Sequence, residues 1–321
     1  MTLAPFLRKL LYGALTILLG AGVVFVAMRV LPGDPAMRLL AGGGQTVTVE
    51  QLEEVRRQWG LDQPLPVQFF AFLYNALQFD FGVSSHSGQP VSAIIGTRLP
   101  VTLQLAAFSI IFAAVLGVIA GTIAAYRRGR SADYVVSSIS VLGISVPNFW
   151  LGLMLILVFA VNLRWLPASG FVPFFEDPIG AIRSMLMPTI VVGSGLAAML
   201  MRQVRSSMIE QLSADYVRTA RSKRLSELRV VVRHALRNTY VTITSVVGLQ
   251  LGSLLSGAIV AEQLFVIPGL GKGLLDAVLA RDYNVVQAIA LISIVAYVLI
   301  SLVCDALYYF FDPRLRRSAA E

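Results

Sequence analysis

A polar, strongly basic stretch between Ser213 and Asn238 interrupts a chain that is otherwise rich in long apolar runs. Its arginines recur every three residues and then every four, and both spacings align charge along one side of a helix. These arginines are Arg218, Arg221, Arg224, Arg229, Arg233 and Arg237. Leu225, Ser226 and Glu227 separate the two halves, and Ser226 is suited to cap the second half. The pattern predicts two short amphipathic helices at the cytoplasmic face of a membrane.

The two predicted helices also carry apolar positions. These are Val217, Ala220, Val231, Ala235 and Leu236. A helix pair with apolar faces and a guanidinium stripe can bind a protein on one side and anionic lipid on the other. A lipid-bound pair without a protein partner is the alternative that the residues leave open.

Three ionisable residues, Arg29, Glu262 and Asp305, lie within or at the edge of apolar runs. In lipid, such groups are costly unless they are paired or hydrated. Glu262 is expected near the outer end of its run, with Gln263 and Phe265 beside it. Two interpretations are possible. In the first, these residues line a substrate path or an outer gate; in the second, Glu262 pairs with a neighbouring helix or with a partner subunit. Both interpretations stay open at this point.

Motifs for chemistry within this chain are missing from the sequence. There is no HExxH, no GxSxG and no cluster of Cys and His. The run Gly269–Gly273 lacks the GxxxxGK[ST] pattern of a phosphate loop and follows no predicted strand. The single cysteine, Cys304, excludes a disulfide framework. We therefore expect no catalytic residue, no metal site and no ATP site in this chain.

The composition indicates an integral membrane protein. Of the 321 residues, 56% are hydrophobic and only 14% are charged, whereas about a quarter of the residues are charged in soluble domains. The net charge of +8 would also suit a nucleic-acid partner. Basic residues retained on the cytoplasmic side of a membrane are the better explanation, so no nucleic acid is expected.

The apolar runs predict an all-α membrane protein with six transmembrane helices in one domain, residues 1–321. The predicted spans are Leu10–Leu31, Leu99–Tyr126, Tyr134–Leu163, Ser184–Met201, Tyr240–Leu264 and Val285–Phe311. Seventeen of the 26 Lys and Arg residues then fall in the segments placed inside, which predicts that both termini are cytoplasmic. Pro147 and Pro188 should kink the third and fourth spans.

Two regions lie outside the predicted spans. Residues 32–98 form an extracytoplasmic loop region, and residues 202–239 form a cytoplasmic loop. In the outer region, Thr48 and Gln51 predict a capping box for a helix over Val49–Trp59, and a second amphipathic helix is expected over Pro66–Phe79. Within the spans, Gly117 and Gly121 form a GxxxG motif, as do Gly248 and Gly252, and helix packing is the expected role of both.

Seven short motifs in a fixed order resemble one family. They are LPGDPA at Leu31–Ala36, GLDQPLPVQ at Gly60–Gln68, SVPNFWLG at Ser145–Gly152, WLPASG at Trp165–Gly170, EQLF at Glu262–Phe265, PGLG at Pro268–Gly271 and FDPR at Phe311–Arg314. Each motif alone is weak, but the set covers nearly the whole chain. The chain resembles the membrane permeases of ATP-binding-cassette importers for dipeptides, oligopeptides and nickel. The likeness is to the first of the two permeases in such systems.

The resemblance implies a type I importer permease fold, and it implies that the segment 202–239 is the loop that docks on the ATPase. The coupling residues would be Asp215, Tyr216, Val217, Arg218, Thr219, Ala220, Arg221, Ser222, Lys223, Arg224 and Leu225. This chain departs from the family at two positions. Arg224 replaces a usual glycine, which implies a different turn or strain. Thr242 replaces a usual proline, which should let the fifth helix start earlier and straighter.

The resemblance also implies the assembly. This chain would pair with a second homologous permease, two ATP-binding subunits that hold ATP and Mg²⁺, and an extracytoplasmic solute-binding protein, within the lipid of the bacterial inner membrane. A di- or oligopeptide is the expected substrate, with nickel chelates, glutathione, opines or oligosaccharides as alternatives. An intramembrane enzyme using Asp305 and Glu262, or a channel that works alone, are the candidates from other classes.

Overall fold

The computed structural model of the chain describes residues 3–30, 48–58 and 62–311. Regular secondary structure over these residues is helical, with one isolated antiparallel bridge between Val83 and Pro90. The helices are α1 (Leu3–Val30), α2 (Val49–Gln58), α3 (Leu65–Leu77), α4 (Val91–Tyr126), α5 (Ser131–Ser145), α6 (Asn148–Leu155), α7 (Pro178–Ser213), α8 (Asp215–Ser222), α9 (Glu227–Arg229), α10 (Leu236–Leu264), α11 (Leu270–Ala280) and α12 (Tyr283–Phe311). A π-helical segment, Ile156–Asn162, extends α6, and another, Val230–Ala235, joins α9 to α10.

Several of these helices are long and apolar enough to cross a membrane. Within the described residues there are four, in α1, α4, α7 and α12, and the bent pair of α5 with α6 and its extension raises the number to as many as five. The prediction of an all-helical membrane protein is confirmed at this level.

The third predicted span is not one helix. Tyr134–Leu163 is divided at Pro147 into α5 and a second helical segment that runs to Asn162, and the two axes differ by 107°. Val146 has an extended backbone, with φ −75° and ψ 124°, because a proline disfavours the helical conformation of the residue before it. The predicted kink is therefore a full break.

The fourth span is longer than predicted at both ends. Helix α7 starts at Pro178, where the Asp177 carboxylate accepts hydrogen bonds from the N–H groups of Ile179 and Gly180 at 3.1 and 3.0 Å. It then runs through Pro188 to Ser213. The first third of the predicted loop 202–239 is therefore helix.

The helix of the fifth predicted span also starts earlier than Tyr240. Helical backbone is continuous from Glu227 to Leu264, so the expected second amphipathic helix is the start of this long helix and not a separate element. Thr242, where the family usually has proline, lies inside α10, and its hydroxyl donates to the Ser207 hydroxyl at 3.4 Å. Ser226 stands at the N-cap position of the helix that starts at Glu227, as predicted, but its side chain makes no capping hydrogen bond.

The helices of the region 32–98 were predicted more closely. The Thr48 N–H donates to the Gln51 side chain at 3.1 Å and the Gln51 N–H donates to the Thr48 hydroxyl at 3.4 Å, which confirms the capping box. Helix α3 confirms the second short helix with shifted bounds. The motif Leu31–Ala36, the pair Gly60-Leu61 and the segment 312–314 lie outside the described residues.

The chain divides into two compact units, and each has its own core. The first contains residues 101–268 and the last helix from Leu299 onward, and its core is built around buried residues of α7 such as Met185, Val191 and Leu200. The second contains residues 7–100 and 269–298, with Val91 and Ile289 in its core. In this unit, Asp282 accepts hydrogen bonds from the Ser84 hydroxyl at 2.5 Å and the Ser85 N–H at 3.3 Å.

Glycines allow α4 to approach α7 closely. A Cβ atom at Gly121 would lie 2.7 Å from the carbonyl oxygen of Met201, and one at Gly117 would lie 2.5 Å from the Cβ of Leu200. Both distances are too short for real contacts, so only glycine fits at these positions. The first GxxxG motif is therefore a helix-packing site. At Gly248 a Cβ would meet its nearest neighbour at 3.5 Å, an ordinary contact, so that position does not need glycine.

We expect Gly121→Ala to destabilise the chain by about 1–3 kcal/mol, because the added methyl group must displace backbone of α7. Gly96 in the same helix is the matched control: it is exposed and a Cβ there meets nothing within 4 Å. Gly96→Ala should stabilise the helix by up to about 1 kcal/mol. The unfolding midpoints of the two variants in detergent measure the difference, and equal midpoints would contradict the close approach.

Candidate functional site

Helix α8 lies on the chain with its apolar side inward. Val217 is fully buried and Ala220 is nearly so, and both pack against the buried side chain of Val230, with Leu225 at the edge of the cluster. The chain itself covers these apolar positions, so a protein or lipid partner can reach only the other side of α8. The contact fixes α8 on the start of the long helix that ends at Leu264.

The second predicted apolar face is also internal. Val231 and Ala235 are buried against Val204 and Met208 of α7 and Ala125 at the end of α4. The π-helical segment that carries Val231 and Ala235 is therefore seated on two other helices. Helix α8, which packs on the neighbouring Val230, is therefore attached to a segment that two other helices hold in place.

The outward side of α8 is polar and charged. Among the predicted coupling residues, those exposed are Asp215, Tyr216, Arg218, Thr219, Arg221, Ser222, Lys223 and Arg224. Arg218 lies 3.4 Å from Asp215, and the two side chains are 75% and 96% exposed. An ion pair this exposed contributes little to stability, so Arg218 is open to an external partner.

Arg221 and Glu227 close the turn that follows α8. The guanidinium donates to the two carboxylate oxygens at 2.9 and 3.2 Å. The two-point geometry fixes the angle between the planar groups as well as their distance. The pair therefore sets the direction of α8 relative to α9, although both side chains are about half exposed and the energy is small.

Arg224 occupies the left-handed region of the backbone map, with φ +56°. Its N–H donates to the Arg221 carbonyl at 2.8 Å, and the N–H of Leu225 donates to the Ala220 carbonyl at 3.5 Å. This is the helix-ending turn that glycine usually supplies. Arg224 was expected to cause either a different turn or strain. The structure keeps the usual turn, and a residue with a Cβ is strained by about 1–2 kcal/mol in this region.

The sequence did not reveal an ion pair beside this loop. Asp133 near the start of α5 accepts hydrogen bonds from Arg205 Nε at 2.5 Å and from a second guanidinium nitrogen at 2.8 Å, and from the Gly129 N–H at 2.9 Å. The Asp133 side chain is 5% exposed. Arg205 is one of many basic residues in the sequence. Because it lies 72 positions from Asp133, no local spacing pattern connects the two residues. The pair ties α5 to the extended end of α7.

The predicted gate residues lie at the far end of the long helix. Glu262 is fully buried and accepts a hydrogen bond from the Thr102 hydroxyl of α4 at 2.6 Å, so of the two open interpretations the pairing with a neighbouring helix is present. Phe265 is buried too, and its carbonyl accepts from the Gly170 N–H at 3.1 Å. Gln263 alone of the three is exposed. Asp305 lies in α12, but its side chain is outside the described residues.

Comparison with known proteins agrees with this architecture. The family model for the binding-protein-dependent transport system inner membrane component matches residues 113–317. The model for the N-terminal membrane component of such systems matches residues 3–106. Together the two matches span most of the chain.

Curated relatives match over almost their full length. A Brucella melitensis protein, provisionally named a peptide transport system permease protein, is 41% identical over 316 residues, which cover 98% of this chain and 99% of the relative. The similarly named protein of Brucella abortus is 41% identical over 313 residues, with the same coverage. The glutathione transport system permease protein of Escherichia coli K12 is 42% identical over 310 residues, covering 97% of this chain and 98% of the relative.

The long apolar helices and the family matches define a multi-pass α-helical membrane protein of the transport class. The chain belongs to the family of inner membrane components of binding-protein-dependent transport systems. It is a permease subunit of an ATP-binding-cassette importer, as the sequence motifs predicted.

We expect Arg224→Gly to stabilise the turn after α8 by about 0.5–1 kcal/mol, because relief of left-handed strain exceeds the entropy cost of glycine. Lys223→Gly is the matched control, since Lys223 has φ −77° and gains no relief, so it should destabilise by a similar amount. Unfolding midpoints and the hydrogen exchange of α8 amides measure both. A loss of stability in Arg224→Gly equal to that in Lys223→Gly would exclude this turn.

Proposed function

We propose that this chain forms one half of the translocation path of an importer and that α8 receives the movement of an ATPase. The observation that carries the proposal is the way α8 is held. Val217 and Ala220 attach it to the start of the long helix at Val230, and its charged side is left exposed. A rigid element that both partners contact is what the transmission of a power stroke requires.

The long helix then connects the coupling loop to the gate. Helical backbone runs without a break from Glu227 to Leu264, roughly 55 Å at 1.5 Å per residue. Its start carries Val230, against which α8 packs, and its end carries Glu262. A tilt imposed at α8 therefore moves the Glu262 end. We assign Gln263 to the pathway or gate surface, and Glu262 and Phe265 to holding the helix end against its neighbours.

The proposed topology has six membrane crossings with both termini in the cytoplasm. The crossings would be α1, α4, the bent pair of α5 and α6, α7, α10 and α12. Helix α10 has 29 residues, which is long enough to span a bilayer. The bias of basic residues toward the segments placed inside supports this orientation. The whole chain 1–321 would be one permease domain in the bacterial inner membrane, with 32–98 outside and the coupling loop inside.

The proposed assembly contains a second homologous permease, two ATP-binding subunits and an extracytoplasmic solute-binding protein. ATP and Mg²⁺ would bind to the ATP-binding subunits, since the sequence of this chain has no phosphate-loop motif. The chain itself would bind no cofactor and catalyse no reaction. Its contribution is to alternate the access of a path between the two membrane faces.

We propose a short peptide as the substrate. The relatives of Brucella are named for peptide transport and that of Escherichia coli for glutathione, which is itself a tripeptide. Nickel chelates, opines and oligosaccharides are the less supported alternatives, because none of these relatives is named for them.

Charge reversal tests the coupling role. In the assembled importer, Arg221→Glu and Glu227→Arg should each lower uptake by about tenfold, equivalent to about 1.4 kcal/mol, because each sets like charges against one another across the turn. The double variant Arg221→Glu/Glu227→Arg restores an opposite-charge pair and should recover most of the activity. Uptake into proteoliposomes and ATP hydrolysis stimulated by the solute-binding protein are the measurements.

A matched control separates the loop from general surface charge. Arg128 is exposed between α4 and α5, outside the coupling residues, so Arg128→Glu should leave uptake unchanged. Survival of both uptake and stimulated hydrolysis in Arg221→Glu would show that α8 does not couple to the ATPase. A double variant as inactive as the single ones would instead show that the Arg221 charge contacts the partner directly.

Substrate choice is tested with the complete importer and its own solute-binding protein. We expect ATP-dependent uptake of a radiolabelled tripeptide, and competition by unlabelled di- and tripeptides, including glutathione. A nickel–histidine chelate and a disaccharide should not compete at the same concentration. Competition by either of these alone would exclude the peptide assignment and leave the permease assignment intact.

A further inference from the structure

Helix α3 presents an apolar stripe that the described part of the chain leaves exposed. Val67, Phe70, Tyr74 and Leu77 recur at intervals of three, four and three residues and therefore share one helix face. Their exposed fractions are 50%, 66%, 65% and 81%. Between Leu65 and Leu77 there is no Asp, Glu, Lys or Arg. This is an unusual amount of exposed apolar surface on a helix of 13 residues.

The opposite side of α3 is attached to the end of α1. The ring of Phe25 lies 5.4 Å from that of Phe69 in an edge-to-face arrangement and 6.3 Å from that of Phe72. Arg29 donates to the Gln68 side chain at 2.6 Å and covers the Phe25 ring at 4.7 Å. These contacts hold α3 beside the last two turns of α1.

The stripe lies beside a candidate membrane span. The described residues bury little of that span, α1, and its exposed apolar side chains extend to Val26 and Val30. These two residues neighbour Phe25 and Arg29, which hold α3. Helices α1 and α3 therefore both expose apolar side chains at the end of this candidate span, the level at which a hydrocarbon core would meet the headgroups.

The length and composition of α3 fit that location. Thirteen residues cover about 20 Å, which is too short to cross a bilayer but typical of an interfacial segment. Tyrosine is enriched at the membrane boundary, and phenylalanine and leucine are typical of the inserted face of an interfacial helix. A surface that docks a soluble protein reversibly would instead be about as polar as the rest of the protein surface.

We propose that α3 is an interfacial helix that lies in the outer leaflet, with the stripe Val67, Phe70, Tyr74 and Leu77 inserted at the boundary of headgroups and acyl chains. The choice of the outer leaflet rests on the proposed topology, whereas the contact with lipid does not. By holding Phe25 and Arg29, the helix fixes the depth of α1 in the bilayer and keeps the Arg29 guanidinium at the headgroup level.

Site-directed spin labelling tests this contact. The chain has one cysteine, so a Cys304→Ala background accepts single cysteines at Val67, Phe70, Tyr74 or Leu77, and at the control position Gln63. Gln63 is exposed in the turn before α3. The labelled chain, assembled with its partner subunits in phospholipid vesicles, is probed with oxygen, which dissolves in the bilayer, and with a water-soluble nickel chelate.

At the four stripe positions we expect oxygen accessibility to exceed nickel accessibility severalfold, and at Gln63 the reverse. High nickel accessibility on the stripe would show that it faces water or a docking site for the solute-binding protein, and would overturn the proposal. Low accessibility to both reagents would place a second protein subunit on the stripe and overturn it equally. Uptake is measured on the same vesicles, so a failure of the transport assignment is seen separately.

A conservative variant covers the case in which labelling disturbs assembly. Tyr74→Trp adds one indole to the stripe. The fluorescence that this tryptophan adds to that of the unmodified chain should be quenched by lipids whose acyl chains carry bromine close to the headgroup. Unquenched added fluorescence would contradict lipid contact.

Discussion

Close packing around α7 is the constraint on which the first unit depends. This helix is the most buried of the candidate spans that the structure describes, and in lipid its association relies on van der Waals contact because neighbouring acyl chains are equally apolar. Gly121 and Gly117 let α4 approach its backbone. The C-terminal third of α7 then supplies Arg205, Val204 and Met208, which hold α5 and the start of the long helix.

The coupling region combines two kinds of contact with different properties. The apolar contacts of Val217 and Val231 are buried and insensitive to salt, and they attach the loop to the helices. The Arg221–Glu227 pair is exposed and screened by ions, and it directs the loop without adding much energy. Attachment and direction are therefore controlled by separate residues. The charged face of α8 can change without loosening its connection to the long helix.

Much of the fold could be predicted from the sequence where the signal is local. The apolar runs located the crossing helices, and Thr48 with Gln51 located a helix start. The ends of helices that lie in polar sequence could not be predicted, because the length of an apolar run reflects the thickness of the bilayer and not the length of the helix. Helix α7, for example, continues 12 residues past Met201. Pro147 was recognised as a disturbance, but a proline alone does not determine whether a helix bends or breaks.

A short helix was predicted at the segment that the family resemblance assigns to coupling, but not which of its sides faces inward. The structure has a helix over Asp215–Ser222, and the last three of the predicted coupling residues follow it. Which face of that helix is internal depends on Val230, a residue that lies in the next element, and periodicity within α8 cannot include it. The same limit applies to Asp133 and Arg205, which meet only because α5 and α7 pack. Glu262 was recognised as costly in lipid, but its partner Thr102 lies 160 positions away in sequence.

Three arginines, at positions 164, 224 and 281, adopt the left-handed backbone at the ends of helical segments. Every arginine codon differs from a glycine codon by a single nucleotide, so a relaxed turn is one mutation away at each position. The chain retains arginine at all three positions, so its free energy of unfolding is lower than the fold allows. A single-nucleotide change at each of these positions is therefore expected to give a variant that is more stable during extraction into detergent.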